Sequence, residues 1–336
     1  MTQENTPRKI MFSGIQPSGE LHIGNYLGAI QNWVKYMDTY DCIYSIVDYH
    51  ALTVPYDTQL MPRRIQELAM MLLACGLTPE RCTLFRQSDV LEHTALSWIL
   101  SCVTTVNYLE RMIQYKEKSE QHGSPNIGLF SYPILQSADI LLYKAQAVPV
   151  GEDQLQHLEL SRDVARKFNL RVDHNYFPEP EPVLSPARRI LGLDGDSKMS
   201  KSKNNTIALA DSKETIAQKM RGAKTDERRQ RLSDPGEPED CNVFTLHKYF
   251  STEADREHIA PKCRSAEIGC RDCKGILVDR MEAQLAPIRE NYAQWKEKPA
   301  EVEEILQAGA ARARSIAQQT LSEVHELLGL PHHRLR

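Results

Sequence analysis

The sequence predicts an α/β fold: a doubly wound parallel sheet followed by an all-α C-terminal domain. Three observations predict it. In the first half, short apolar runs alternate with segments of helical period, the pattern of strands joined by crossover helices. The proline-rich stretch "FPEPEPVLSP" then ends the alternation, because successive prolines oppose both helix and ladder hydrogen bonds. Beyond residue 205 the periodic segments all have helical spacing. At 336 residues the chain exceeds the ~250 at which one core stops growing, so two domains are expected. They are 1–205, α/β with a polar insertion at about 108–130, and 206–336, helical.

Taken in order, "KIMFSG" reads as a strand, "NYLGAIQNWVKYM" as a helix and "DCIYSIVD" as a strand. "QLMPRRIQELAMMLLACG" follows as a helix and "CTLFRQS" as a third strand. After the insertion come the helix "SYPILQSADILLYKA", the short buried strand "AVPV" and the amphipathic helix "EDQLQHLELSRDVARKFN", with Leu155, Leu158 and Ala165 on one side. In the second half "DSKETIAQKMRGA", with Asp211 as its N-cap, "KGILVDRMEAQLAPIRENYAQWKEK" and "AEVEEILQAGAARARSIAQQTLSEVHELLGL" are helices.

Hydrophobic residues at 41% and charged residues at 26% are globular values and exclude a disordered or collagen-like chain. No apolar run approaches the ~18 residues of a membrane helix, and "MTQENTPRK" lacks the apolar core of a secretion signal, so a cytoplasmic location is expected. In that reducing compartment the eight cysteines are buried thiols or metal ligands rather than a disulfide framework. The net charge of −4 argues against a uniformly basic nucleic-acid coat, and no DNA partner is expected. Locally the balance reverses: residues 188–231 carry twelve Lys and Arg against six Asp and Glu. Such a run is commonly a solvated face, but here it adjoins a phosphate-type motif.

Two motifs carry chemistry. "SGIQPSGELHIGNYLGA", residues 13–29, follows the first strand and opens the first helix, where backbone N–H groups and a helix N-terminus face anything above the sheet. Gly24 lets a flat base or ribose approach the backbone, while His22 and Asn25 offer donors to phosphate oxygens. "DSKMSKSKNN", residues 196–205, places Lys198 and Lys201 three apart among hydroxyl side chains, two point charges suited to a polyphosphate. Further on, Cys241, Cys263, Cys270 and Cys273 form a C-x21-C-x6-C-x2-C pattern. One close pair plus two separate thiols differs from the paired C-x2-C knuckles usual for zinc and leans to an iron–sulfur cluster, with Zn2+ as the alternative.

Together "HIGN" and "KMSKS" resemble the paired signatures of class I aminoacyl-tRNA synthetases. "GIQPSGELHIGNY", "VDYHALTV", "LERMIQYKEKS", "YPILQSADILLY" and "VPVGEDQLQHLELSRDVARKFN" extend the resemblance to the tryptophanyl-tRNA synthetases, nearly from residue 11 to 205. The resemblance implies a Rossmann-like catalytic domain that forms tryptophanyl-adenylate from tryptophan and Mg2+-ATP and transfers it to tRNA(Trp). It also implies a homodimer, no membrane association and a helical anticodon-binding domain.

By the same resemblance Asp139 accepts the indole N–H, with Phe12, His50, Val148 and Val150 around the ring and Tyr132 and Gln154 near the amino group. Indole needs such a site, an apolar slot with one buried acceptor. Gln136 stands where some relatives carry methionine. ATP is expected to meet Gln16, Pro17, Ser18, Gly24 and Asn25, then Gly151, Glu152 and Asp153 at the end of "AVPV". It also meets Ile190, Lys198, Met199, Ser200, Lys201 and Ser202. Lys198, Lys201, His22 and Lys118 are expected to stabilise the phosphates. No catalytic base is needed, since the tryptophan carboxylate is itself the nucleophile. A subset of the family holds a [4Fe–4S] cluster on four similarly spaced cysteines. A tyrosyl-tRNA synthetase is the nearest rival reading; a non-catalytic RNA-binding relative is the rival of another class.

Overall fold

Five parallel strands lie in the order β3-β2-β1-β4-β5. They are β1 (Ile10–Ile15), β2 (Asp41–Ile46), β3 (Cys82–Arg86), β4 (Ala147–Val150) and β5 (Glu181–Leu184). The computed structural model describes residues 7–113, 126–184, 190–200 and 203–331. The expected insertion therefore lies partly outside the described residues, and Lys118, Lys201 and Ser202 lie wholly outside them.

The chain winds outward from β1 to β3 and returns on the other side of β1 at β4, which makes the β1–β4 junction the topological switch point. Strand alternation sets the two faces. Phe12, Ile43 and Phe85 enter one core with Leu158, Phe168 and Ala313. On the opposite face Tyr44 stacks on Trp33 with ring centroids 4.6 Å apart, and its hydroxyl donates to the Trp33 carbonyl at 2.9 Å.

The helices are α1, which begins as Ile23–Asn25, widens to a π-helical turn at Tyr26–Ile30 and continues as Gln31–Tyr36; α2 (Asp48–Ala51); and α3 (Met61–Ala74). Then come α4 (Glu92–Ser101), a short helical turn at Val106–Glu110, α5 (Ile127–Leu141) and α6 (Leu155–Arg171). The rest are α7 (Lys213–Arg221), α8 (Asn242–Phe250), α9 (Glu253–Arg264), α10 (Cys270–Lys296) and α11 (Pro299–Leu327). No helix among the described residues is long and apolar enough to cross a membrane.

Three sequence expectations change. The proline-rich stretch contains β5: Pro182 sits opposite Val148 in an edge strand, the one sheet position where a residue without an N–H costs little. The N-cap of α7 is Ser212, whose hydroxyl accepts the Thr215 N–H; Asp211 instead accepts from the Ala208 N–H at 2.7 Å and pairs with Lys219 at 2.6 Å. The third change concerns the last helix. The compact units are Met1–Gly19 with Trp33–Ser185 and Lys298–Arg336, and Glu20–Asn32 with Pro186–Glu297, so the expected boundary at 205 does not coincide with either.

Helix α11 belongs to the first unit and packs along β3. Its small residues explain the fit: a Cβ at Gly309 would fall 1.9 Å from the Leu84 carbonyl oxygen. Arg86 on β3 then grips Glu303 through two hydrogen bonds of 3.0 and 2.7 Å. In the second unit α7 and α8 both pack on α10, around Ile216, Met220, Phe244, Leu277 and Met281.

Candidate active site

At the switch point of the first unit the carboxyl ends of β1 and β4, with α2 and α5, enclose a cavity of about 230 Å³. Phe12, His50, Tyr132, Gln136, Asp139, Val148, Val150 and Gln154 all line it, as does Gln16. Valines from β4 and the β1 phenylalanine supply the apolar walls, because alternate residues of a strand face one side. Asp139 reaches this cavity from α5 and is only 1% exposed.

Its carboxylate is held from three directions. The Gln87 amide and His93 Nδ1 each lie 2.7 Å from Oδ1, and His50 Nε2 lies 2.7 Å from Oδ2. Burial alone would raise this carboxyl; the charge and hydrogen bond of His50, with the bond from His93, outweigh burial and hold it well below the ordinary carboxylate range. An ionised carboxylate only accepts, so His93 donates to it from Nδ1, and His93 Nε2 lies 2.8 Å from the Tyr143 hydroxyl. A carboxylate offers about four lone-pair sites. Two on Oδ1 and one on Oδ2 are used, which leaves Oδ2 able to accept one further N–H.

Gln87, His93 and Tyr143 were not legible as site residues. Gln87 does stand just past the carboxyl end of β3, where parallel sheets collect functional groups, and that was the available signal.

The second unit brings the two phosphate-type motifs side by side. The Ile23 N–H donates to the Ile207 carbonyl at 2.9 Å, and the Leu209 N–H to the Leu21 carbonyl at 2.9 Å. Gly24 is required there, because a Cβ would fall 2.9 Å from His22 Nδ1 and 3.4 Å from Met199 Cβ. Asn25 closes a capping box with His22. Ile190 accepts the Met199 N–H at 3.1 Å, so these two buried residues are neighbours, and Lys198 is bridged to Leu191. In the first unit Gly151, Glu152 and Asp153 are exposed at the end of β4, and Gln16 to Ser18 form a tight turn after β1.

Cys241, Cys263, Cys270 and Cys273 line one small cavity in the second unit with Arg229 and Asp226. Burial, then the neighbouring cysteines, push the Cys273 thiol up to about 12. Arg229 Nη1 lies 3.7 Å from Cys263 Sγ, and His247 Nε2 lies 3.4 Å from Cys273 Sγ. Among the described residues no three His, Cys, Asp or Glu side chains are gathered so as to hold a metal ion.

The predicted basic patch is largely committed elsewhere. Lys219 pairs with Asp211, Lys224 with Asp196 and Glu227, and Arg228 with Asp226 and Asp240. Arg229 turns inward to the carbonyls of Ile268 and Leu232. Arg221 and Arg231 are exposed and have no ion pair among the described residues.

Residues 4–286 match the family described as class I tRNA synthetases (W and Y). The chain is 47% identical over 327 residues to the tryptophan–tRNA ligase of Deinococcus radiodurans, covering 95% of this chain and 98% of the relative. It is 43% identical to that of Gloeobacter violaceus, covering 98% and 99%. Among solved structures it is similar to the tryptophanyl-tRNA synthetase of Campylobacter jejuni complexed with ADP and tryptophan, at a TM-score of 0.86 and 37% identity over 96% of this chain and all of that one.

Proposed function

This chain belongs to the class I tRNA synthetases of the tryptophan and tyrosine family and is a tryptophan–tRNA ligase, and from that premise we propose how its residues divide the work. The observation that carries the proposal is the cavity around Asp139, apolar on its walls and provided with one oriented, ionised acceptor. Oδ2 of Asp139 accepts the indole N–H, Phe12, Val148 and Val150 hold the ring, and Tyr132 and Gln154 meet the amino group. A phenol in this cavity leaves part of the slot unfilled, which favours tryptophan over tyrosine.

The substrate carboxylate attacks the α-phosphorus of ATP. The α–β phosphoanhydride bond breaks, pyrophosphate leaves with its Mg2+, and the adenylate then passes its acyl group to the terminal ribose of tRNA(Trp). Lys198 and His22 meet charge that grows on the leaving phosphates, a role in which fixed positive groups lower the barrier. Gly24 and Asn25 bring backbone close to the nucleotide, Ile190 and Met199 offer it an apolar contact, and Gly151 to Asp153 bind ribose. Lys118 and Lys201 keep their proposed phosphate roles, and Ser202 its proposed ATP contact, from sequence alone. Residues 206–297 bind the tRNA. Exposed apolar side chains of the first unit, Trp98 at 73% and Ile127 at 80%, are covered by a second copy in a homodimer.

The four cysteines hold a [4Fe–4S] cluster. What supports this reading is that all four thiols line one common cavity, as a group bound by four thiolates requires. These cysteines would tie residue 241 to the 263–273 stretch when the group is bound, which would serve as a structural link and supply no electron to the ligation.

Tryptophan-dependent exchange of pyrophosphate into ATP tests the first reading, with tyrosine as the control; exchange on tyrosine of equal efficiency overturns it. Anaerobically purified protein tests the second. Brown colour with iron and sulfide supports the cluster, and a colourless protein with one tightly held zinc rejects it.

A further inference from the structure

Asn205, the last residue of the lysine motif and given no role by the sequence, is 4% exposed. Its amide oxygen accepts the Ser200 N–H at 2.8 Å. Its amide nitrogen lies 2.8 Å from Asp194 Oδ2, 3.1 Å from Ser197 Oγ and 3.4 Å from the Lys198 carbonyl. Asp194 in turn accepts from the Ser197 hydroxyl at 2.7 Å, and hydrogen bonds from Asn205 and then Ser197 hold its carboxyl down to about 2. The Asn205 carbonyl accepts the Leu193 N–H at 2.9 Å, which returns the segment to its own start. Gly192 makes room for all this, because a Cβ there would fall 2.0 Å from the Asn205 amide nitrogen.

We infer that Asn205 is a positioning residue for Lys198, held by Asp194 and Gly192. A lysine is a point charge on a flexible stem, so its backbone must be fixed for the charge to arrive where the leaving phosphates develop theirs. An amide donates and accepts through two separate atoms of one short side chain, and here it holds the backbone on both sides of Met199. An aspartate at 205 keeps the acceptor for Ser200 but loses the donor and sets a second carboxylate against Asp194.

The inference rests on the reading of Lys198 as a phosphate-stabilising lysine, so Lys198→Ala is assayed beside it. In steady-state pyrophosphate exchange by the full chain, Asn205→Ala lowers kcat about 10²-fold, the loss typical of a small misplacement of a catalytic group. The KM for tryptophan stays within about twofold, because the amino-acid pocket belongs to the first unit and lies outside this hydrogen-bond set. Gly192→Ala, which displaces the amide without removing it, gives the same split. Asn205→Asp is impaired, and adding Asp194→Asn, which restores one amide and one carboxylate in exchanged order, recovers activity above either single variant.

Each other outcome overturns a stated part. A silent Asn205→Ala beside an impaired Lys198→Ala overturns the positioning role alone. A silent Lys198→Ala overturns the reading beneath it. Parallel losses in kcat and in tryptophan KM, or strictly additive single effects in the Asp194–Asn205 pair, assign Asn205 a general structural part and overturn the inference. Should Asn205→Ala fail to fold, the exchanged pair and Gly192→Ala decide the matter.

Discussion

Around Asp139 in the first unit the protein supplies its own partners: two histidines and a glutamine orient the carboxylate before any substrate arrives. Around the four cysteines of the second unit the reverse holds, since the donors face a shared cavity, and the contacts of Cys263 and Cys273 are with Arg229 and His247 rather than with one another. On the proposed reading, the difference separates a site for a transient ligand from a site for a permanent one. A pocket that binds and releases tryptophan must hold its shape in both states. A structural cofactor site contributes its cohesion only when filled, because binding free energy and folding free energy are then the same quantity.

The largest expected effect breaks the second site and leaves the first. On the proposed cluster reading, Cys270→Ser with Cys273→Ser should remove the iron and destabilise the second unit by roughly 4–5 kcal/mol, in the class of losses seen when a structural metal is removed. Thermal unfolding followed with iron content checks it, and tryptophan binding should persist with little change. A variant that keeps full stability without iron would remove the contrast.

Next in size is the breaking of the first site. Asp139→Ala deletes a charged acceptor from three buried donors and from the ligand, so the tryptophan requirement rises about 10–100-fold, from roughly 1.5–3 kcal/mol of lost hydrogen bonding. The pH dependence has a definite sign. The folded carboxyl is depressed below its unfolded value of ~3.9, so its stabilisation is complete above that pH and is lost as pH falls through the folded value. Acid unfolding should therefore steepen below about pH 4 in the parent chain and flatten there in Asp139→Asn.

A smaller effect tests the first unit's packing. Gly309→Ala places a Cβ against the Leu84 carbonyl and should cost about 1–3 kcal/mol, the usual range for overpacking. Measured by denaturant midpoint, an unchanged value would show that α11 does not sit this closely on β3.

How much of this could be read from the sequence depends on range. β1 to β4 were legible because each is a short apolar run between turn signals, and the eight residues expected around tryptophan line one cavity because "YPILQSADILLY" and "VPVGEDQ" carry six of them, "KIMFSG" carries Phe12 and "VDYHALTV" carries His50. β5 was hidden by its prolines, since an edge position is a property of the sheet and not of the strand. The home of α11 was hidden too, because an alanine-rich helix of regular period does not announce what it packs against. His93 and Tyr143 act on Asp139 through the side chains of two different helical segments, a relation that no spacing along the chain encodes.

The smallest expected effect concerns the basic segment, where a charge count overstated what is available. Of Lys219, Arg221, Lys224, Arg228, Arg229 and Arg231, four are held by carboxylates or by backbone carbonyls at the cysteine cavity, so reversing them disturbs folding as well as charge. Arg221 and Arg231 are exposed and without ion pairs among the described residues, which makes them the members able to meet an RNA phosphate. Each such contact releases condensed counterions, so Arg221→Glu and Arg231→Glu should each lower the salt slope of tRNA binding by about 1 while adenylate formation is unchanged. Arg228→Glu gives the contrast: it removes the guanidinium shared by Asp226 and Asp240, sets a third carboxylate beside them and should lower thermal stability more than it changes the slope. Equal slopes for the parent chain and the Arg221→Glu and Arg231→Glu variants would assign the tRNA surface to other residues of the second unit.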